Sequence, residues 1–168
     1  MELSTSDLTL KTVDDSDLEE VARMWAFEKG PISPAEAKAA IDNMQNNHSK
    51  NRPGHIHHLC FAVFEKEKRE IIGWCGLDGT TDGKLYIFYL IDATHRKRGF
   101  ATQCAARLLS HAFDEARVPF VNGGCDKDNI ASYKVMTKIG MRPDGFEENG
   151  DPLFFMDEEL YRNNNAAI

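Results

Sequence analysis

The chain has 168 residues, 42% of them hydrophobic and 28% charged, an ordinary balance for a globular domain and enough chain to bury a core without disulfides or metals. A formal charge of −7 sets the surface against nucleic acid and anionic membranes, and the dense basic cluster is confined to His95-Arg96-Lys97-Arg98. No stretch approaches the roughly 18 apolar residues of a membrane span. Cys60, Cys75, Cys104 and Cys125 sit in apolar stretches without a Cys-x-x-Cys pair, which reads as buried, reduced thiols in a cytoplasmic protein. Met1 to Asp7 lacks a basic start followed by an apolar run, so it is not expected to be a secretory signal. One domain over 1–168 is the expectation.

In chain order, Leu8 to Val13 alternates and predicts a first strand. Ser16-Asp17-Leu18-Glu19 fits a capping box for a helix carrying Leu18, Val21, Ala22 and Trp25 on one face, ended by Gly30-Pro31. Ser33-Pro34-Ala35-Glu36 is a second box with proline at the first helical position, and its helix is expected to reach about Met44. The polar stretch from Gln45 to Gly54 reads as a loop. Leu59 to Phe64 and Ile71 to Leu77 predict a hairpin around the charged turn from Glu65 to Glu70. Leu85 to Ile91 is apolar and aromatic throughout, as in a central strand covered on both faces. A helix follows from about Phe100 to Ala116, with Ala101, Cys104, Ala105, Leu108 and Ala112 as its apolar stripe. A short strand at Phe120 to Cys125, a helix from Asn129 to a glycine cap at Gly140, and a last strand at Leu153 to Met156 complete the chain. The order β, α, α, β, β, β, α, β, α, β predicts an α+β fold around one mixed sheet.

Asp92 to Thr102 is the most informative segment, because it joins a buried strand to an amphipathic helix. A helix start exposes unpaired N–H groups and partial positive charge, and so suits phosphate. Gly99 and Ala101 would permit close approach, and Arg96 and Arg98 would add charge. Read alone, the segment fits a phosphate cradle or a plain helix start with solvated arginines. Neither Gly-x-x-x-x-Gly-Lys-Ser/Thr nor Gly-x-Gly-x-x-Gly after the first strand occurs, which excludes a nucleotide-hydrolysing P-loop and argues against a dinucleotide fold.

Arg96-x-x-Gly99-x-Ala101 resembles the Arg/Gln-x-x-Gly-x-Gly/Ala signature of the GNAT acetyltransferases. Leu90-Ile91-Asp92 before it and Phe100-Ala101-Thr102 after it look like the ribosomal-protein-alanine acetyltransferase branch. Asn129-Ile130-Ala131-Ser132 with Lys138-Ile139-Gly140-Met141 is similar to that family's Asn-x-x-Ser…Glu-Lys-Leu-Gly-Phe helix, with Met141 in place of Phe. Ile72 to Gly76 resembles the strand before the cofactor strand. The element order agrees from Leu8 to Tyr161, and the specific motifs lie within 86–141.

The resemblance implies a mostly antiparallel sheet flanked by helices, with acetyl-CoA entering where two central strands splay apart. Backbone groups at Leu90, Ile91 and Asp92 would pair with the pantetheine amides. Arg96 and the N–H groups of Arg98, Gly99, Phe100, Ala101 and Thr102 would hold the pyrophosphate. Asn129 and Ser132 would face the pantetheine and thioester end, although helix capping is the other reading of these two residues. The family's usual glutamate base falls at Tyr86 and its usual tyrosine acid at Met136. A positioning mechanism on an amine of pKa about 8, such as an α-amine, follows from those losses, since lysine near about 10.4 needs more help. Ser132 is then the side chain expected nearest the leaving sulfur.

Other candidates are weaker. His55, His57 and His58 could bind metal or relay protons, but no partner stands at zinc spacing and no metal is expected. Tyr86, Phe88 and Tyr89 read as core or groove lining, Tyr133 as a packing tyrosine or an acid, and Asp126 and Asp128 as helix lead-in. The functional expectation is acetyl transfer from acetyl-CoA to a primary amine, by a monomer or homodimer without nucleic-acid or membrane partners. A non-catalytic acyl-CoA sensor on the same fold is the alternative.

Overall fold

The computed structural model describes residues 1–166. One eight-stranded sheet runs through them, in the order β1-β2-β3-β4-β5-β6-β8-β7. Its strands are β1 (Glu2–Ser4), β2 (Leu8–Lys11), β3 (His58–Glu65), β4 (Ile71–Gly79), β5 (Leu85–Ile91), β6 (Phe120–Gly124), β7 (Arg142–Phe146) and β8 (Pro152–Asp157). Every pairing is antiparallel except β5 with β6. The helices are α1 (Leu18–Met24), α2 (Pro34–His48), α3 (Phe100–Ser110), α4 (Ile130–Lys138) and α5 (Glu158–Ala166).

Alternation along β3 divides the core in two. Phe61 and Val63 join Cys75, Leu77, Ile87, Cys104 and Leu108 beneath α3 and α4. Cys60, Ala62 and Phe64 face the other way, against Val21, Met24, Ile41, Met44 and Trp74 beneath α1 and α2. This is the period-two signal of a strand covered on both faces. Each fully buried leucine or phenylalanine contributes about 1.5–3 kcal/mol.

Several expected elements are corrected. The first strand stops at Lys11, and β1, β7 and α5 are additional elements. No box forms at Ser16 and Glu19; one forms just before α1, on a 3-10 turn at Asp15–Asp17, where Asp14 accepts from the Ser16 N–H and Asp17 accepts from the Asp14 N–H at 3.0 Å. Lys11 Nζ fixes Asp17 there at 2.9 Å. Helix α1 ends at Met24, and a 3-10 turn at Phe27–Lys29 precedes Gly30, whose φ of +88° closes it. The Ser33–Glu36 box forms as expected. Helix α2 continues beyond Met44 to His48 because its last turn has tertiary partners. Gln45 donates to the Val13 carbonyl at 3.4 Å, and His48 Nε2 accepts from the Cys60 N–H at 3.0 Å. The helix after Phe100 is α-helical only to Ser110, then widens into a π-turn at His111–Glu115. Helix α4 ends at Gly140 with φ +82°, as a glycine cap requires.

Candidate active site

Strands β5 and β6 are parallel neighbours with a single pairing, Tyr86 with Asn122. Beyond it they diverge. The β4–β5 register is unbroken from Gly73↔Ile91 to Gly79↔Leu85, and the Asp92 N–H donates to the Ile72 carbonyl at 2.8 Å. Antiparallel pairs alternate in hydrogen bonding. The backbone groups of Phe88, Leu90 and Asp92 therefore point at β4, whereas those of Tyr89 and Ile91 point into the splay. On the facing strand the Cys125 N–H donates to the Pro152 carbonyl, which turns the Gly124 backbone toward the same gap by the same alternation.

The splay opens into a cleft of about 480 Å³ lined by β5, the Asp92–Thr102 segment and α4. Asp92 begins the segment by accepting from the Thr94 N–H at 3.1 Å, and the Thr94 bonds are the main reason its carboxyl is held below the usual range. Arg96 is extended and its Nε donates to the Ile91 carbonyl at 2.9 Å. Gly99 is the N-cap of α3 at φ +80° and gives the helix no side-chain cap. The first N–H groups of an eleven-residue helix therefore meet the cleft without a side-chain acceptor.

Arg98 is placed differently from the expectation. Its guanidinium makes a bidentate pair with Glu65 at 2.9 and 3.0 Å and stacks on the Phe100 ring, 4.4 Å from its centroid. That pair pushes the Glu65 carboxyl down to about 2. Its side chain does not line the cleft.

Across the gap, Asn129 caps α4 by accepting from the Ser132 N–H at 3.0 Å, so the capping reading holds while Asn129 also lines the cleft. The Ser132 hydroxyl lies 2.9 Å from the Tyr89 hydroxyl. Burial is the main cause that pushes the Tyr89 phenol up to about 12, so it remains a proton donor. Burial likewise raises the Cys125 thiol beside Ser132. Sequence reasoning gave Tyr89 as core or groove lining, and it lines the cleft, but its hydroxyl was not singled out as a proton donor. The available signal was its parity with Ile87 and Ile91, both of which face α3.

Tyr86 does not line this cleft. It shares the alternate parity of Phe88 and faces the α1–α2 side of the sheet, and Leu90, expected to be covered, is 43% exposed. Tyr133 packs edge-on to Phe154 at 5.1 Å, and Asp126 accepts from the Asp128 N–H. The three histidines separate: His55 closes a turn with Arg52, the His57 carbonyl accepts from Gly79, and His58 enters β3. Among the described residues no group of three or more His, Cys, Asp or Glu could hold a metal ion. No helix among them is long and apolar enough to cross a membrane.

A splayed parallel pair, a glycine-capped helix start and a second helix across the gap are the architecture of an acetyltransferase (GNAT) domain. Residues 7–142 match that family, and the chain belongs to it. It is 25% identical over 125 residues to the uncharacterized N-acetyltransferase YnaD of Bacillus subtilis (strain 168), covering 70% of this chain and 65% of YnaD. The chain thus spans just under two thirds of that relative's length. Among solved structures it is similar to the ribosomal-protein-S5-alanine acetyltransferase from Vibrio fischeri, with a TM-score of 0.79 at 15% identity over 95% of this chain and 97% of that one. It is also similar to RimL, a ribosomal L7/L12 α-N-protein acetyltransferase in complex with coenzyme A, with a TM-score of 0.74 at 15% identity over 95% and 99% of the two chains. At these identities the structural likeness establishes the fold.

Proposed function

We propose that this chain is one catalytic domain that transfers an acetyl group from acetyl-CoA to a primary amine by direct attack. The single β5–β6 pairing, which leaves backbone groups of Tyr89, Ile91 and Gly124 facing an open cleft, carries this reading. The residues present fit the cosubstrate. The cleft volume lies within the usual range of ligand sites, and a Cβ built on Gly99 meets nothing within 4 Å, so the helix start is open to a phosphate.

Arg96 and the N–H groups from Gly99 to Thr102 take the pyrophosphate. Arg98 contributes its backbone only. Ile91 is kept and Tyr89 takes the place of Leu90 and Asp92 as backbone partners of the pantetheine amides. Asn129 and Ser132 border the thioester end, and the Tyr89–Ser132 pair supplies a proton to the departing sulfur. RimL and the S5-alanine acetyltransferase are both described as acting on ribosomal proteins, and a protein α-amine is the acceptor class in keeping with a chain that lacks the usual glutamate base.

Acetyl-CoA at about 100 times its dissociation constant should stabilise the chain by roughly 2.7 kcal/mol, read as a rise in melting temperature. No shift at millimolar acetyl-CoA would remove the cosubstrate assignment. With a panel of amines and a free-thiol assay, thiol release establishes the transferase. Tight binding without release to any amine would establish the sensor instead.

Ser132→Ala and Tyr89→Phe should each lower kcat, by about tenfold to a hundredfold for a lost proton donor, with acetyl-CoA affinity changed less than threefold. A fall in affinity that matched the fall in kcat would place the pair in binding and not at the sulfur.

A further inference from the structure

The pairing registers align four strands at one level of the sheet. His58 on β3 is opposite Asp78 on β4, Asp78 is opposite Tyr86 on β5, and Tyr86 is opposite Asn122 on β6. Directly paired residues present their side chains on the same face, so these four form one polar row on the α1–α2 face. The row lies at the level of the single β5–β6 pairing, the point from which the two strands part. Asp78 keeps 56% of its side-chain surface exposed and His58 26%, so the helices leave this end of the row open.

Within the row the polar groups have a direction. His58 Nδ1 is 2.9 Å from Asp78 Oδ1. A carboxylate only accepts, so Nδ1 carries the proton and the Nε2 lone pair is left for another donor. The ring is held by two further rings, Phe88 at 6.2 Å and His48 at 6.5 Å. Phe88 reaches across β4 because its partner there is Gly76; a Cβ on Gly76 would lie 2.7 Å from the Phe88 ring. At the far end, Asn122 Oδ1 is shielded from solvent and has no hydrogen-bond partner. An orphaned buried acceptor is costly.

We propose that this row is the acceptor subsite and that His58, oriented by Asp78, takes the proton from the attacking amine. The inference rests on the acetyltransferase reading above. The amine nitrogen forms a bond to the thioester carbonyl carbon, and the C–S bond breaks with its electron pair going to sulfur. The nitrogen's proton passes to His58 Nε2, and sulfur is protonated from the Tyr89–Ser132 side. Phe88 and Tyr86 flank the approaching amine. Asp78 is a positioning residue.

The groups that face His58 are Asp78 from β4, Phe88 from β5, His48 from α2, and Asn51, which accepts from the His58 N–H at 3.2 Å. His48 is pushed down to about 4, by burial first and by His58 second, so it stays neutral through the range in which a histidine base works.

The test uses the full chain, acetyl-CoA, and the fastest acceptor among alaninamide, a short peptide with a free α-amine, ethanolamine and spermidine. The decisive variant is His58→Gln. Its kcat at neutral pH should drop on the order of a hundredfold, with the acetyl-CoA melting shift unchanged. Imidazole in the buffer should restore part of the activity of His58→Ala, which a merely structural histidine would not allow. Asp78→Asn should cut kcat less and should mix the His58 tautomers in a 15N imidazole spectrum recorded without acetyl-CoA. A wild type that acetylates an amine while His58→Gln keeps its rate would overturn this proposal and leave the acetyltransferase reading standing. A wild type inert to all four amines would overturn both.

Discussion

Gly99→Glu should leave a folded chain that binds acetyl-CoA roughly a hundredfold more weakly. Gly99 sits at φ +80° as the N-cap of α3, and a side chain there meets open space. The substitution therefore costs the fold about 1–3 kcal/mol of left-handed strain without a clash, part of which a negative charge at a helix start offsets. Binding changes far more. A carboxylate about 4 Å from a phosphate at an effective dielectric near 20 is repelled by about 4 kcal/mol, and screening by solvent in this open cleft leaves roughly a hundredfold loss of affinity. Gly99→Ala carries the same strain without the charge and should keep affinity within severalfold. Arg96→Ala should fall between the two, because the N–H groups of the helix start remain. Melting curves against acetyl-CoA concentration rank all three. A Gly99→Glu chain with wild-type affinity would place the phosphates elsewhere.

Gly76→Val should yield little or no folded chain. Gly76 is in the middle of β4, between Cys60 on β3 and Phe88 on β5. A Cβ there would lie 1.9 Å from the Leu59 carbonyl oxygen and 2.7 Å from the Phe88 ring. The oxygen belongs to the backbone of a central strand and cannot yield without breaking the β3–β4 ladder. The penalty exceeds about 4–5 kcal/mol, a large part of a small domain's stability. Circular dichroism and urea unfolding of Gly76→Val and Gly76→Ala read it directly. A Gly76→Ala chain within about 1 kcal/mol of wild type would show that β3 and β4 have more freedom than this register allows.

The elements that announced themselves in the sequence are those whose signal is local. The Ser33–Glu36 box, the glycine after α4, and the apolar stripe of α3 each rest on a few neighbouring residues and formed as read. Where the reading erred, long-range contacts decided. His48 extends α2 through a bond to Cys60, and Lys11 draws Asp17 into the box at Asp14. Strands β1 and β7 are short edge strands whose formation depends on pairing with β2 and β8. The cleft was legible because its parts, Arg96-x-x-Gly99-x-Ala101 and Asn129-x-x-Ser132, are contiguous and lie on helix starts. That Arg98 turns to Glu65 was not, since the two are far apart in the chain.

By itself, then, the sequence determined which helix start would lack a side-chain cap, because a glycine N-cap is a property of neighbouring residues. Only the tertiary structure decided which strand groups face the splay, since alternation assigns Tyr89 and Ile91 to it only once the β4–β5 register is set. It also decided that His58, Asp78, Tyr86 and Asn122 share one row. They come from four strands, and no periodicity within one strand encodes its alignment with the next.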